Sequence, residues 1–167
     1  MLRFAQHDDL LHNEDSVPMS RSLYFAYGAN LDLRSFKRRC PSAAVVGRAR
    51  LPDYQLSFTR YSRTRKGGVA DIVPEPGAEV WGALYEVDGP CLAALDEYEG
   101  VPRYYRRETV RVVDDAGVEH EAMTYVANRT GEFAPSRQYL GIIVRGAREH
   151  GLPEEYVRAV EQVRTYA

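Results

Sequence analysis

The amino-acid sequence predicts an α+β fold built on a small, mostly antiparallel β-barrel or a highly curved sheet. Three observations carry this expectation. Alternating or β-branched runs recur about every ten residues, separated by clusters of Gly, Pro and Asp. Three other segments repeat apolar residues at helical spacing, and two of these close the chain. The length of 167 residues, 44% of them hydrophobic, suits one compact domain rather than a disordered chain.

Residues 1–21 read as a polar N-terminal appendage without a sustained period, ending in Val17-Pro18-Met19-Ser20-Arg21. Met19 offers an alternative start, and the domain is expected over residues 22–167. Leu23-Tyr24-Phe25-Ala26-Tyr27 is a short aromatic strand stopped at Gly28, and a short helix follows around Asp32–Cys40, closed by Pro41. Strands are then expected over Ala43–Leu51, Tyr54–Arg60, Gly68–Val73, Glu79–Val87, Tyr105–Val113 and Val118–Ala127. The breakers between them include Pro52-Asp53, Lys66-Gly67-Gly68, Pro74-Glu75-Pro76-Gly77 and Asp114-Asp115-Ala116-Gly117. A helix over Pro90–Glu99 starts on proline and ends at Gly100. A second, Ser136–His150, takes Ser136 as N-cap and keeps Tyr139, Leu140, Ile143, Val144 and Ala147 on one face. A third opens at Leu152-Pro153-Glu154-Glu155, with acids in its first turn, and buries Tyr156, Val157, Val160 and Val163.

Composition removes several function classes. The net charge of −2 supplies no basic field for nucleic acid or membrane. Cys40 and Cys91 lie far apart without CxxC spacing, which argues against a disulfide framework and for a reducing compartment. His7, His12, His120 and His150 show no metal-ligand spacing, so no metal is expected. No run approaches the ~20 apolar residues of a membrane span. Asp8-Asp9 and Glu14-Asp15 interrupt what a signal peptide would need. The expected setting is cytoplasmic. Two stretches, Arg60–Lys66 and Arg103–Arg107, interleave basic and aromatic residues. In a near-neutral chain they read as solvated loops rather than an RNA surface.

Glu99 is the most informative residue. On a helical wheel Cys91, Leu92, Leu95 and Tyr98 form the apolar face of Pro90–Glu99, and Glu99 falls within it, while Asp96 sits at its edge and Glu97 points away. Burial raises a carboxyl pKa, and the helix C-terminus pushes the same way. A carboxylate with raised proton affinity suits a general base near neutral pH. The competing reading has Glu99 fray outward or pair with Arg103, Arg106 or Arg107. The turn Tyr27-Gly28-Ala29-Asn30-Leu31 is the second feature. There a glycine at positive φ and consecutive N–H groups converge on a carboxylate or oxyanion, unless Asn30 or Asp32 merely caps a plain helix. Tyr24, Tyr27, Tyr98, Tyr105, Tyr125 and Tyr139 supply candidate hydroxyls, against their commoner role as packing residues.

Four short motifs in order resemble one family. Leu-Tyr-Phe-Ala-Tyr-Gly-Ala-Asn-Leu over 23–31 resembles the opening signature, usually Tyr-Gly-Ser-Asn, of the γ-glutamylcyclotransferase superfamily, which includes the butirosin-biosynthesis cyclotransferase-like proteins. Glu79-Val80-Trp81-Gly82 with Leu95-Asp96-Glu97-Tyr98-Glu99-Gly100-Val101 is similar to its central strand and acid motif. Tyr105-x-Arg107-x-x-Val110 matches the next strand, and Pro135-Ser136-x-x-Tyr139 through Gly151-Leu152-Pro153-x-x-Tyr156 the C-terminal helices. The resemblance implies a small mixed β-barrel flanked by helices and the conversion of a γ-glutamyl amide to 5-oxoproline and a free amine. It implies Glu99 as catalytic acid/base, with Tyr24, Phe25, Ala26, Tyr27, Gly28, Ala29 and Asn30 around the glutamyl group and hydroxyls from Tyr105 and Tyr139. It implies no cofactor, a small-molecule γ-glutamyl substrate, and a monomer or homodimer without nucleic-acid or membrane partners. The wall facing the departing amine is expected from residues 60–67 and 128–134. Ala29 stands where the family usually has Ser, which leaves a second reading open: a non-catalytic module binding a small carboxylate.

Overall fold

The computed structural model describes residues 21–166. Residues 1–20 of the expected 1–21 appendage, including His7 and His12, lie outside the described ones; its last residue, Arg21, donates to the Glu86 and Ser42 carbonyls at 3.2 and 2.9 Å. The elements are β1 (Ser22–Ala26), a 3-10 turn (Ala29–Leu31), α1 (Leu33–Arg39), β2 (Ala44–Ser62), β3 (Gly67–Val87), α2 (Gly89–Glu99), β4 (Tyr105–Asp114), β5 (Glu119–Ala127), α3 (Arg137–Glu149) and α4 (Glu154–Glu161). The strands close into a barrel in the order β1-β3-β2-β4-β5. Its neighbours run antiparallel except β1 and β5, which meet in parallel where Tyr24 faces Met123. The α+β class and the mixed barrel flanked by helices are as expected.

The strand count differs. The four strands expected between residues 43 and 87 are two long ones, paired from Ala44 opposite Glu86 to Ser62 opposite Gly67. Pro52-Asp53 does not end β2. The register slips there instead, with Asp53 at φ 66 and its carboxylate accepting the Gly77 N–H at 2.9 Å. A bulge absorbs residues that would otherwise break a ladder, and it increases local twist. Three such shifts let the β2–β3 hairpin curve around the barrel and project its tip, residues 62–67, beyond it.

The helices follow their caps. Asp88 accepts the Cys91 N–H at 3.0 Å, and Gly100 ends α2 at φ 69. Ser136 accepts the Tyr139 N–H at 3.0 Å, and α3 buries the five residues expected of it. In α4, Val157 and Val160 are buried, but Tyr156 and Val163 are only partly so, because the helix ends at Glu161 before Val163 can turn inward. Tyr98 corrects the wheel for α2. It is 37% exposed and stands outside the core.

Helix α3 crosses the 3-10 turn so closely that a Cβ on Gly146 would lie 2.5 Å from the Leu31 carbonyl carbon. Gly146→Ala is therefore expected to cost about 1–3 kcal/mol in urea unfolding, and to lower activity by shifting the turn.

The two cysteines overturn the reading drawn from their spacing. Cys40, the C-cap of α1, and Cys91, in the first turn of α2, form a disulfide, leaving no unpaired cysteine among the described residues. Sequence distance hid the contact because the barrel brings the two helices together. The expectation of a reducing compartment rested on unpaired thiols and loses that support. Because the bond closes a loop over 51 positions, reduction is expected to lower stability by about 2–4 kcal/mol, read as a lower urea midpoint with dithiothreitol. No described helix is long and apolar enough to cross a membrane.

Candidate active site

Where β1 ends at Ala26, the chain leaves the barrel through Tyr27 and Gly28 and enters the 3-10 turn. Gly28 does not take the positive φ expected of it, since its φ is −117. Space favours glycine there instead: a Cβ would lie 3.1 Å from the Ala70 Cβ, so the strand would have to give by a few tenths of an ångström. Behind the turn, Tyr85 donates to the Asn30 carbonyl at 2.9 Å, and His150 Nε2 lies 3.1 Å from the Leu31 carbonyl and 3.0 Å from the Tyr85 hydroxyl. That arrangement needs a proton on Nε2, which donates to both oxygens. Burial pushes the His150 pKa down, so the imidazole is neutral. In front, the N–H groups of Gly28, Ala29 and Asn30 meet no acceptor among the described residues.

These three residues line a cavity of about 710 Å³ that opens between the turn, the end of α2 and the hairpin tip. Glu99, the last residue of α2, is the one acid lining it among the described residues. Asn30 is fixed first: Arg39 Nη1 donates to its Oδ1 at 2.9 Å, which turns Nδ2 the other way. Nδ2 then donates to the Tyr24 hydroxyl at 2.9 Å and, at 3.4 Å, to Glu99 Oε2. Burial raises the Glu99 pKa from 4.5 to about 7, against the opposing pull of the Arg39 and Arg65 charges. One turn earlier, Asp96 accepts two bonds from Arg107 at 2.9 and 2.7 Å, and a third from the Tyr125 hydroxyl at 2.7 Å. Those bonds hold its pKa below the usual carboxylate value. Two carboxyls on one helix are thus driven apart, as in sites where one must carry a proton near neutrality.

The residues expected around the site divide. Tyr24, Tyr27, Gly28, Ala29, Asn30, Glu99, Tyr105 and Tyr139 all line the cavity. Phe25 and Ala26 do not. Both are buried, with the Phe25 ring and the Ala26 carbonyl packed so close to Gly82 of β3 that no Cβ would fit there. Tyr27 and Tyr105 donate to the Tyr125 and Ala70 carbonyls at 2.6 Å each. The Tyr24 and Tyr139 hydroxyls instead accept, from Asn30 and from the Ala70 N–H at 3.0 Å, which leaves their own protons for a ligand. Burial raises the pKa of all four phenols, so each stays protonated.

Arginines 103, 106 and 107 do not pair with Glu99. Arg107 binds Asp96, Arg106 binds Glu108, and Arg103 lies over the Tyr104 ring. The Arg60–Lys66 stretch is not a plain solvated loop, since residues 60–65 form the cavity's outer wall. Residues 128–134, the other expected wall, lie outside that lining and buttress the hairpin. Thr130 and Phe133 N–H groups bond the Thr59 and Phe58 carbonyls at 2.9 Å each. Sequence reasoning missed Arg39, whose guanidinium lies 3.5 Å from the Tyr98 ring centroid and orients Asn30. Nothing in the spacing of a basic helix end announces that role.

A mixed barrel that sets Glu99 and the Gly28–Asn30 turn on the lining of one cavity defines a candidate small-molecule site. Comparison with known proteins gives the family. A model of the AIG2-like family matches residues 79–160. The chain is 40% identical to the γ-glutamylcyclotransferase of Homo sapiens over 146 residues, 84% of this chain and 78% of that protein. It is 34% identical to the putative γ-glutamylcyclotransferase YkqA of Bacillus subtilis over 138 residues, 78% of this chain and 48% of that one. A solved γ-glutamyl cyclotransferase superposes with a TM-score of 0.84 at 38% identity, covering 87% of this chain and 89% of its own. The chain belongs to the γ-glutamylcyclotransferase family.

Proposed function

We propose that this enzyme converts a γ-glutamyl amine or amino acid to 5-oxoproline and the free amine, with Glu99 as the general acid/base. The observation that carries the assignment of roles is the position of Glu99: a lone carboxyl in the cavity, with a pKa near 7, opposite the Gly28–Asn30 donors. Ionised Glu99 takes a proton from the substrate α-ammonium. The freed amine attacks the γ-carbonyl, forming the new C–N bond and a tetrahedral oxyanion. Protonated Glu99 then delivers its proton to the departing nitrogen as the original C–N bond breaks, and the ring nitrogen gives up its second proton, which the released amine carries away as an ammonium. The Gly28, Ala29 and Asn30 N–H groups hold the α-carboxylate or the oxyanion, and the Tyr24 and Tyr139 hydroxyls have protons to add. Since the nucleophile is part of the substrate, effective molarity supplies much of the acceleration.

The test is 5-oxoproline release across a panel of γ-glutamyl amides, with wild type and Glu99→Gln compared. Equal rates would remove Glu99 from the mechanism. Ala29 favours a second reading, a small-carboxylate binding module without turnover. That reading predicts ligand-induced stabilisation and no 5-oxoproline from any member of the panel.

A further inference from the structure

The cavity has two chemically different walls. One holds Glu99, the turn and the tyrosines. The other, the hairpin tip, presents Arg60, Arg63 and Arg65. A volume of about 710 Å³ is in the range that encloses a drug-sized ligand, so the glutamyl group leaves room for a sizeable departing amine against the hairpin. Several arginines elsewhere in the fold meet acids: Arg48 with Asp115, Arg107 with Asp96, Arg129 with Asp71, Arg148 with Glu161. Among the described residues the three hairpin arginines meet none. Arg65 donates to the Tyr98 hydroxyl at 2.7 Å, and Arg60 to the Asn128 carbonyl at 2.7 Å. Both partners are neutral, so apart from Glu99, whose pKa the Arg65 charge pulls down, no acid lining the cavity among the described residues offsets the hairpin's positive charge. A guanidinium carries five donors in a planar fork suited to a carboxylate, and Arg65 has most of its fork unused. The half-buried Arg65 is tied to Tyr98, the neighbour of Glu99, whereas Arg63 is exposed farther out. Two cations at different depths match two anionic groups on one ligand.

We infer that Arg65 and Arg63 are specificity-determining residues that select γ-glutamyl conjugates whose departing amine is dianionic, such as a dicarboxylic amino acid. Arg65 holds the carboxylate nearer the departing nitrogen and Arg63 the outer one. This rests on the function proposed above. The experiment compares kcat/KM for γ-glutamyl-aspartate, γ-glutamyl-alanine and γ-glutamyl-lysine. The expected order is acidic, then neutral, then basic, with about tenfold between the first and last, carried by KM and narrowing as salt is added. Arg65→Gln should raise KM for all three substrates alike, since each carries the carboxylate it holds, whereas the exposed Arg63→Glu, which does not burden the fold, should invert the ratio toward γ-glutamyl-lysine. Turnover of all three substrates at equal kcat/KM, or a ratio unmoved by Arg63→Glu, overturns the inference while the cyclotransferase reading stands. Absence of 5-oxoproline from every substrate overturns both.

Discussion

Glu99→Gln is expected to lower kcat/KM for 5-oxoproline release by about 10²–10⁴-fold, and at the same time to make the fold more stable above pH 7. The two effects have one cause. Burial raises the Glu99 pKa from 4.5 to about 7, so the folded state favours the protonated carboxyl. Its stabilising contribution is complete below pH 4.5 and is lost as pH rises through about 7. Above that, the ionised carboxylate costs the native state up to roughly 3 kcal/mol, less whatever solvent reaching it through the cavity relieves. Glutamine keeps the volume and cannot ionise, so the variant should escape that cost. Urea midpoints at pH 5 and pH 8 check it: the variant should match wild type at the lower pH and exceed it at the higher. The activity of wild type should run the opposite way. As general base Glu99 must be ionised, so kcat/KM should rise through about pH 7 and level off. A variant that retains wild-type turnover, or one whose stability falls relative to wild type with rising pH, would contradict the role given to Glu99.

Glu99 was legible because α2 is bounded by unambiguous signals, Asp88-Gly89-Pro90 at one end and Gly100 at the other. With both ends fixed, the wheel phase follows. Tyr98 shows where that method stops. A wheel sorts residues by angle, but an amphipathic ring at the edge of the apolar face can turn either way. Here the Arg39 guanidinium and the Arg65 hydrogen bond draw it to the cavity rim. The turn at residues 27–31 was read in the right place for an incomplete reason. Its glycine answers a close approach from β3, a contact 42 positions away that local spacing does not encode (Gly28 against Ala70). The long β2–β3 hairpin was read as four strands because Pro and Gly normally punctuate. Bulges convert that punctuation into curvature, and the curvature carries Arg60–Arg65 over the site. The basic cluster was visible in the sequence. Its destination was not.

Asp71→Ala is expected to be the most destabilising substitution near the site, at about 3–5 kcal/mol. Asp71 is completely buried, and within Gly68–Val73 it looks like the polar member of an alternating strand. Its carboxylate accepts four bonds: Thr59 Oγ1 at 2.8 Å, the Ile72 N–H at 2.8 Å, the Ala127 N–H at 2.9 Å and Arg129 Nε at 2.7 Å. Removing it leaves buried donors without acceptors and Arg129 without its counter-charge. Asp71→Asn fares little better, because its NH₂ group faces donors. Replacing Asp71 and Arg129 together by Leu and Met should recover part of the loss, since an apolar pair strands fewer polar groups. The damage should also reach catalysis. Asp71 fixes the strand at Ala70, whose N–H and carbonyl are bound by Tyr139 and Tyr105 and whose Cβ faces Gly28. Activity per folded molecule, with the folded fraction measured by near-UV circular dichroism, should therefore fall even where an osmolyte restores folding. Restoration of full specific activity would confine Asp71 to stability. The two carboxyls end in opposite settings: Asp71 is completely buried and saturated with donors, while the half-buried Glu99 has one 3.4 Å contact from Asn30 and, with its pKa near 7, remains able to gain and lose a proton.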